Sequence, residues 1–334
     1  MATHFFGLID RTYYFSHAVG RNEFAGTGFR NPVDMAIAPD GSVYVVNRSY
    51  EQRPDGVHVT VFTLDEEYIT EFGAAGEGDG EFVWPSAVAI DSKSDVYVAD
   101  EWLNRVSKFT KDGEFISKWG TAGSGDGELK GPSGLVFDSS DNLTVVDSKN
   151  NRIQKFTADG KFISKFGSAG DGKGQFNLPW GVAVDKNDNI YVADWRNDRV
   201  QVFNPDGEWQ QSFGSSGSGV GQFNRPNAVA VDASGDIFVA DWENNRVQAF
   251  APDGRYITQF MGDADLSKWG RDKLNSNQDM IRQRNIAFAN DPGYEQKLSH
   301  PCSVKVDPQG RIAILDHTRG RVQVYVKEDV PVLH

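Results

Sequence analysis

Cysteine is almost absent from this chain. Its one copy, Cys302 in 334 residues, excludes an intramolecular disulfide and makes a reducing, cytoplasmic compartment the expectation. Basic charge is also in short supply. The 34 Lys and Arg face 47 Asp and Glu, and the net charge of −13 argues against a nucleic-acid phosphate backbone as partner. No apolar run approaches the roughly 18 residues that a membrane-spanning helix needs, so no membrane partner is expected. The opening MATHFFGLIDRTYYF lacks a basic segment followed by a long apolar core, so no secretory signal is expected there. What the chain does hold in quantity is glycine, 35 copies, together with short runs of strand-forming residues.

The best-formed of these runs lie at 178–214, LPWGVAVDKNDNIYVADWRNDRVQVFNPDGEWQQSFG. GVAVD, NIYVAD, RVQVF and EWQQSFG have strand character, and 186–189, 195–198 and 204–207 separate them as turns. A four-stranded meander of this kind has two apolar faces and needs copies of itself on either side. The copies are present. Pro85, Pro132, Pro179 and Pro226 stand 47 residues apart, Pro32 and Pro301 continue the series, and Gly20, Gly73, Gly120, Gly167 and Gly214 each precede the next proline by 12 residues. Six leading prolines predict six blades, at about 31–73, 84–120, 131–167, 178–214, 225–262 and 300–326. The last lacks an outer strand, which residues 9–20 supply through FSHAVG (15–20). The expected architecture is one all-β domain over 1–334, a six-bladed β-propeller whose N-terminal strand completes the last blade. Gly262 precedes Pro301 by 39 residues, which leaves an insertion at about 263–299, with Asn277 expected to cap a helix over QDMIRQR.

The consensus P-x-G/A-V-A-V-D…I-Y-V-A-D-x-x-N-x-R-V-Q-V-F…D-G-x-x…F-G resembles the NHL repeat over roughly 9–262 and 300–326, most specifically in blades 2 to 5. The resemblance implies a six-bladed propeller, in agreement with the count of prolines. Asp and Arg recur five residues apart in five blades: Asp100/Arg105, Asp147/Arg152, Asp194/Arg199, Asp241/Arg246 and Asp316/Arg321. Repetition argues for structure, since an active site needs its groups once. Blade 1 departs with Asn47 and His58, and its longer turn at 48–56 is a functional candidate. The Gly-rich loops at 74–82, 121–129 and 168–176 carry one to three acids each, too few for calcium. Phe29, Phe82, Leu129, Phe176 and Phe223 are expected to plug such connections into the core.

Function is sought where the repeats disagree. Loops entering the innermost strands and loops joining the middle strands meet around the channel mouth. The first set differs at Val33/Asp34, Ser86, Ser133, Trp180, Asn227 and Cys302; the second brings Trp102, Trp195/Arg196, Trp242 and His317. These residues form a concave, aromatic, sparingly polar surface suited to a small molecule or a peptide. Hairpin packing is the alternative role for Trp102, Trp195 and Trp242. The insertion is expected to act as a lid, bringing Trp269, Arg282 and Arg284 near the mouth and leading into His300 and Cys302. Ligand-binding candidates are therefore Trp180, Asn227, Trp102, Trp195, Trp242, Arg196, His300, Trp269 and Arg282. Catalytic candidates are Cys302 with His317 or His300 as base, and Asp34. Two enzyme families resemble the architecture. The peptide-amidating lyases would need zinc-binding His beside the leading prolines, where this chain has none. The calcium lactonases would need a Glu, Asn and Asp set of which only Asn227 and Asp34 are present. No side-chain metal site and no cofactor is expected, although a channel calcium or zinc held by backbone carbonyls would leave no side-chain signature. The expected function is ligand or partner binding at this face; the alternative is a lyase or hydrolase using it.

Overall fold

The computed structural model describes residues 11–23, 26–49, 53–276, 278–290 and 295–329. Six four-stranded antiparallel sheets are arranged as blades in chain order. Blade 4 is typical: Val182–Val184 lies innermost, followed by Ile190–Asp194, Arg199–Phe203 and the outer Trp209–Phe213. The segment IYVAD is buried at every position because sheets cover both of its faces, which is why it is apolar without alternation. Outer strands such as Phe162–Phe166 keep their middle residues in solvent. The last blade is closed as expected. Arg11–Val19 pairs antiparallel with Arg321–Asp329, from Arg11 opposite Asp329 to Val19 opposite Val322. Residues 9–10 of the expected closing strand lie outside the described residues.

One contact sets the spacing between blades. At four of the six junctions the aromatic ending the outer strand lies on the last turn of the next blade: Phe72 on Gly113, Trp119 on Gly160, Phe166 on Gly207 and Phe213 on Gly254. Gly160 has φ +81° and a Cβ there would lie 2.4 Å from the Trp119 ring, so only glycine serves. Where blade 6 meets blade 1 both partners are missing. Val19 stands in the aromatic's place and Glu66, at φ +66°, in the glycine's.

The insertion fills this gap, and the lid expected from the sequence is corrected. Two helices, α1 (Lys268–Asn275) and α2 (Gln278–Asn290), lie in it. Trp269 of α1 is buried between Phe29 and Phe62, at ring distances of 6.3 and 5.9 Å, and its indole donates to the Glu66 carbonyl at 2.9 Å. Ser267 caps α1 by accepting from the Gly270 N–H, and its own hydroxyl donates to Gly20 O at 2.6 Å. The segment is a clasp on the outside of the seam. Arg282 is exposed beside Asp279 at 3.6 Å, and Arg284 pairs with Glu295 at 2.7 Å. The expected cap Asn277 lies outside the described residues.

Candidate functional site

The repeated polar residues build a scaffold. In blade 4, Asp194 accepts from Asn177 N, Asn197 Nδ2, Arg199 Nε and Gln201 Nε2 at 2.8, 2.8, 2.9 and 3.2 Å. Arg199 then spends its Nη atoms on the carbonyls of Asp171, Gly172 and Gln175, which ties down the Gly-rich loop. Blades 3 and 5 repeat the ion pair, Arg152 to Asp147 at 2.7 Å and Arg246 to Asp241 at 2.8 Å. Blade 2 varies it, with the Arg105 Nη atoms on carbonyls of Glu77, Gly78 and Glu81. In blade 6 the pair opens to 3.7 Å. There burial pushes the Asp316 carboxyl up to about 6 and the Arg321 guanidinium down to about 10, too far apart for mutual attraction to offset desolvation. A further set of bonds fixes the start of each following blade. Asn104, Asn151, Asp198 and Asn245, each left-handed, accept from the N–H of Gly131, Leu178, Arg225 and His300, all at 2.8 Å. The residue before the leading proline is thereby held left-handed at the mouth, as at Leu178 (φ +50°) and His300 (φ +56°).

Down the axis runs a channel with a narrow waist. Gly134 and Gly181 let neighbouring chains close on it, since a Cβ would lie 2.5 Å from Trp180 O and 2.4 Å from Asn227 O respectively. Free space at the waist is only about 20 Å³, room for roughly one water. Above it the mouth opens into a cavity of about 390 Å³ lined by Asn31, Val33, Arg48, Ser49, Trp84, Trp180, Trp195, Asn227, Trp242, Cys302 and His317. Trp180 and Trp195 stand 6.2 Å apart at 41°. Trp242 is flanked by His300 at 5.0 Å and His317 at 5.1 Å. Arg48 lies 4.9 Å above Trp84 while bonding to Pro85 O at 2.6 Å and Glu101 at 3.2 Å. Burial lowers the pKa of Arg48, and Glu101 acts against that shift.

Several candidates are placed elsewhere. Trp269 and Arg282 sit on the clasp, away from the mouth. Trp102 is 68% exposed and lines a groove beside the cavity, with Trp84 between the two. Arg196 lies on the rim, 5.6 Å from the Trp195 ring, and His300 packs behind Trp242 with its Nδ1 at 3.1 Å from Thr318 Oγ1. The nucleophile reading of Cys302 is corrected. Its thiol donates to Pro32 O at 3.2 Å, and burial first, then Asp34 and Asp316, push its pKa well up. His317 holds the same carbonyl through Nδ1 at 2.7 Å, so the imidazole is not turned to the sulfur as a base. Cys302 occupies a slot where blades 2 and 3 use serine: Ser86 donates to Pro132 O at 2.6 Å and Ser133 to Pro179 O at 3.2 Å. Asp34 is likewise engaged, accepting from Ser303 Oγ at 2.7 Å and Val88 N at 3.1 Å, with Lys305 at 3.7 Å. Among the described residues no group of three His, Cys, Asp or Glu is gathered that would hold a metal ion.

The NHL repeat matches residues 176–203 and 223–250, which are blades 4 and 5, and a six-bladed β-propeller family matches 92–166, most of blades 2 and 3. The chain carries NHL repeats within a six-bladed propeller. No curated protein matches it. Among solved structures it is similar to a protein of unknown function from Bacteroides thetaiotaomicron VPI-5482, at 18% identity and TM-score 0.65, over 95% of this chain and 76% of that one. It is also similar to virginiamycin B lyase from Staphylococcus aureus, at 12% identity and TM-score 0.57, over 94% and 99%. A third likeness, at 18% identity and TM-score 0.52 over 71% and 82%, is to a chain of a nidogen/laminin complex. At these identities the likeness is one of fold.

Within this propeller, Trp84, Asn31 and Ser49 line the cavity without having been singled out, and Arg48 enters from the 48–56 turn, of which 50–52 lie outside the described residues. Trp84 has a signal in hindsight. It precedes a leading proline, where the other blades carry left-handed residues, but its own N–H turns back to Asp100 at 3.0 Å. The turn of blade 1 supplies no Asn in the usual slot, and Arg48 bridges to blade 2 instead.

Proposed function

We propose that this NHL propeller binds a ligand in the tryptophan-lined mouth of its channel. The observation that carries the reading is the junction of four indoles, Trp84, Trp180, Trp195 and Trp242, around a cavity of about 390 Å³ whose floor includes the Asn227 side chain. Stacked indoles offer large desolvated faces at low conformational cost, and a few polar groups then set orientation. A lyase or hydrolase reading requires a base and a polarising group aimed at one point. His317 is the imidazole on the cavity wall, while the Cys302 thiol and the Asp34 carboxylate are held by bonds within the ring. Binding therefore ranks ahead of catalysis.

Trp180→Ser and Trp242→Ser test this, because each installs the residue that blade 3 carries at the same point, Ser133 and Ser148, and so suits the fold. Naphthalene titrated by ligand-observed NMR is expected to bind the parent and to lose about tenfold or more in affinity in either variant. Unchanged affinity in both would remove the mouth as the site. Metal content of the purified protein, measured by mass spectrometry, tests separately for a metal held by channel carbonyls.

A further inference from the structure

We infer that the ligand of the mouth is a flat aromatic ring carrying a carboxylate, stacked on the indoles and paired at the rim with Arg196 and Arg225. The inference rests on the binding reading above and adds a charge to it.

The charges inside the cavity are already matched. Arg48 bonds to Glu101 at 3.2 Å and to Pro85 O at 2.6 Å, and below it Asp34 stands 3.7 Å from Lys305. The rim beside Trp195 is different. The Arg225 and Arg196 guanidinium carbons lie 4.5 and 5.6 Å from the Trp195 ring centre. Among the described residues neither guanidinium has a hydrogen bond or an ion pair. Asp198, which fixes the Arg225 backbone, accepts from Arg225 N and Ser216 Oγ and makes no ion pair with either of them.

The repeat positions around the mouth point the same way. In blades 3 to 5, the residues just before the leading proline and just after the strand-ending Asp include Lys130, Lys149, Arg196 and Arg225. The one acid at those positions is Glu243, and among the described residues none of the five is in an ion pair. Four cations against one acid leave three positive charges in excess, in a chain whose net charge is −13. Elsewhere many cations are tied to carboxylates, as Lys108 is to Asp95 and Lys327 to Asp232 and Asp236. The arc of positive charge therefore stands against the field of the whole protein and draws an anion to this edge.

A ring lying on Trp195 puts its edge within the swing of both side chains. Turning either guanidinium from the indole onto a carboxylate breaks no hydrogen bond, and its planar fork matches the two oxygens. A cationic guest would share the indole with two guanidiniums, and a neutral one would leave both unanswered. The apolar part of the ligand goes under the indoles, while its charge stays at the wet edge and keeps part of its hydration.

2-Naphthoate, 2-naphthamide, (2-naphthylmethyl)ammonium and naphthalene share one ring system and differ in charge, and ligand-observed NMR against the full chain compares them. 2-Naphthoate is expected to bind about fivefold more tightly than 2-naphthamide, with the ammonium below both. The double variant Arg196→Glu, Arg225→Leu installs what blade 5 carries at the first position, Glu243, and what blade 4 carries at the second, Leu178, which is left-handed like Arg225. It is expected to bind 2-naphthoate no more tightly than 2-naphthamide, whereas Trp180→Ser is expected to weaken both together. Equal affinities for the two in the parent, tightest binding by the ammonium, or a preference that survives the double variant would overturn the inference and leave the binding reading standing. So would 2-naphthoate affinity that is unchanged in Trp180→Ser while naphthalene is weakened. If none of the four compounds binds, the binding reading falls and this inference with it.

Discussion

Blade 4 and the seam between blades 6 and 1 solve the same packing problem by different means. In blade 4 the repeated residues make the contacts: Asp194 collects four donors, Arg199 secures the Gly-rich loop, and Phe213 rests on Gly254 of the next blade. At the seam the repeat fails. Val19, Glu66, Asn47 and His58 replace the aromatic, the glycine, the aspartate and the arginine, and a tryptophan 203 residues from Glu66 completes the contact. A slot in the ring is thus defined by its geometry, and the residue that fills it need not belong to the repeat. The mouth shows the complement. At the position after the leading proline, Ser86, Ser133 and Cys302 clip one blade to the next, whereas Trp180 and Asn227 give up the clip and face the cavity.

The comparison breaks most severely at Asp194. Asp194→Ala leaves the half-buried Arg199 without its carboxylate and three N–H donors without their acceptor, and is expected to cost about 3 kcal/mol in urea unfolding. A loss below about 1 kcal/mol would show that the repeat network is not what holds a blade together. Trp269→Ala is expected to cost about 3 kcal/mol through a cavity at the seam, with naphthalene affinity unchanged. Loss of binding in a still-folded variant would restore the lid reading. Cys302→Ser should change stability by about 1 kcal/mol or less and leave binding intact, because serine already fills this slot in blades 2 and 3. The smallest expected effect is in the pH dependence. Burial lowers the pKa of His58 and His317, so as the pH falls through about 6.5 the unfolded chain takes up protons that the folded one refuses. Stability is whole above that value and declines on acidification toward the depressed folded values. Asp316, raised to about 6, works in the opposite sense as the pH falls below 6. The urea midpoint should be lower at pH 5.5 than at 7.5, and the double variant His58→Gln, His317→Gln should narrow the difference. An undiminished difference would assign the slope to other groups.

Much of the fold was legible in order along the chain. Period-47 prolines, the Asp and Arg five residues apart, and Phe15 to Gly20 matching an outer strand each report on contacts made within a repeat or between neighbours, where spacing maps onto geometry. The site was legible in part. Trp180, Asn227, Trp195, Trp242 and His317 stood out because they break a local pattern, and the structure brings all five to one cavity. Trp84 was hidden because its role depends on a backbone turn that the blade before it permits. Cys302 looked chemical until its Pro32 partner showed it to be a serine's substitute.

Sequence by itself determined the six blades, their order and the split closing blade, because each repeat satisfies its backbone and buries its apolar faces in the same local way. Only the tertiary structure decided where the insertion goes. No period reaches into 263–299, so the place of Trp269 is set by the shape of a gap between blades 6 and 1 and by the Glu66 carbonyl there. That gap exists once the ring has closed.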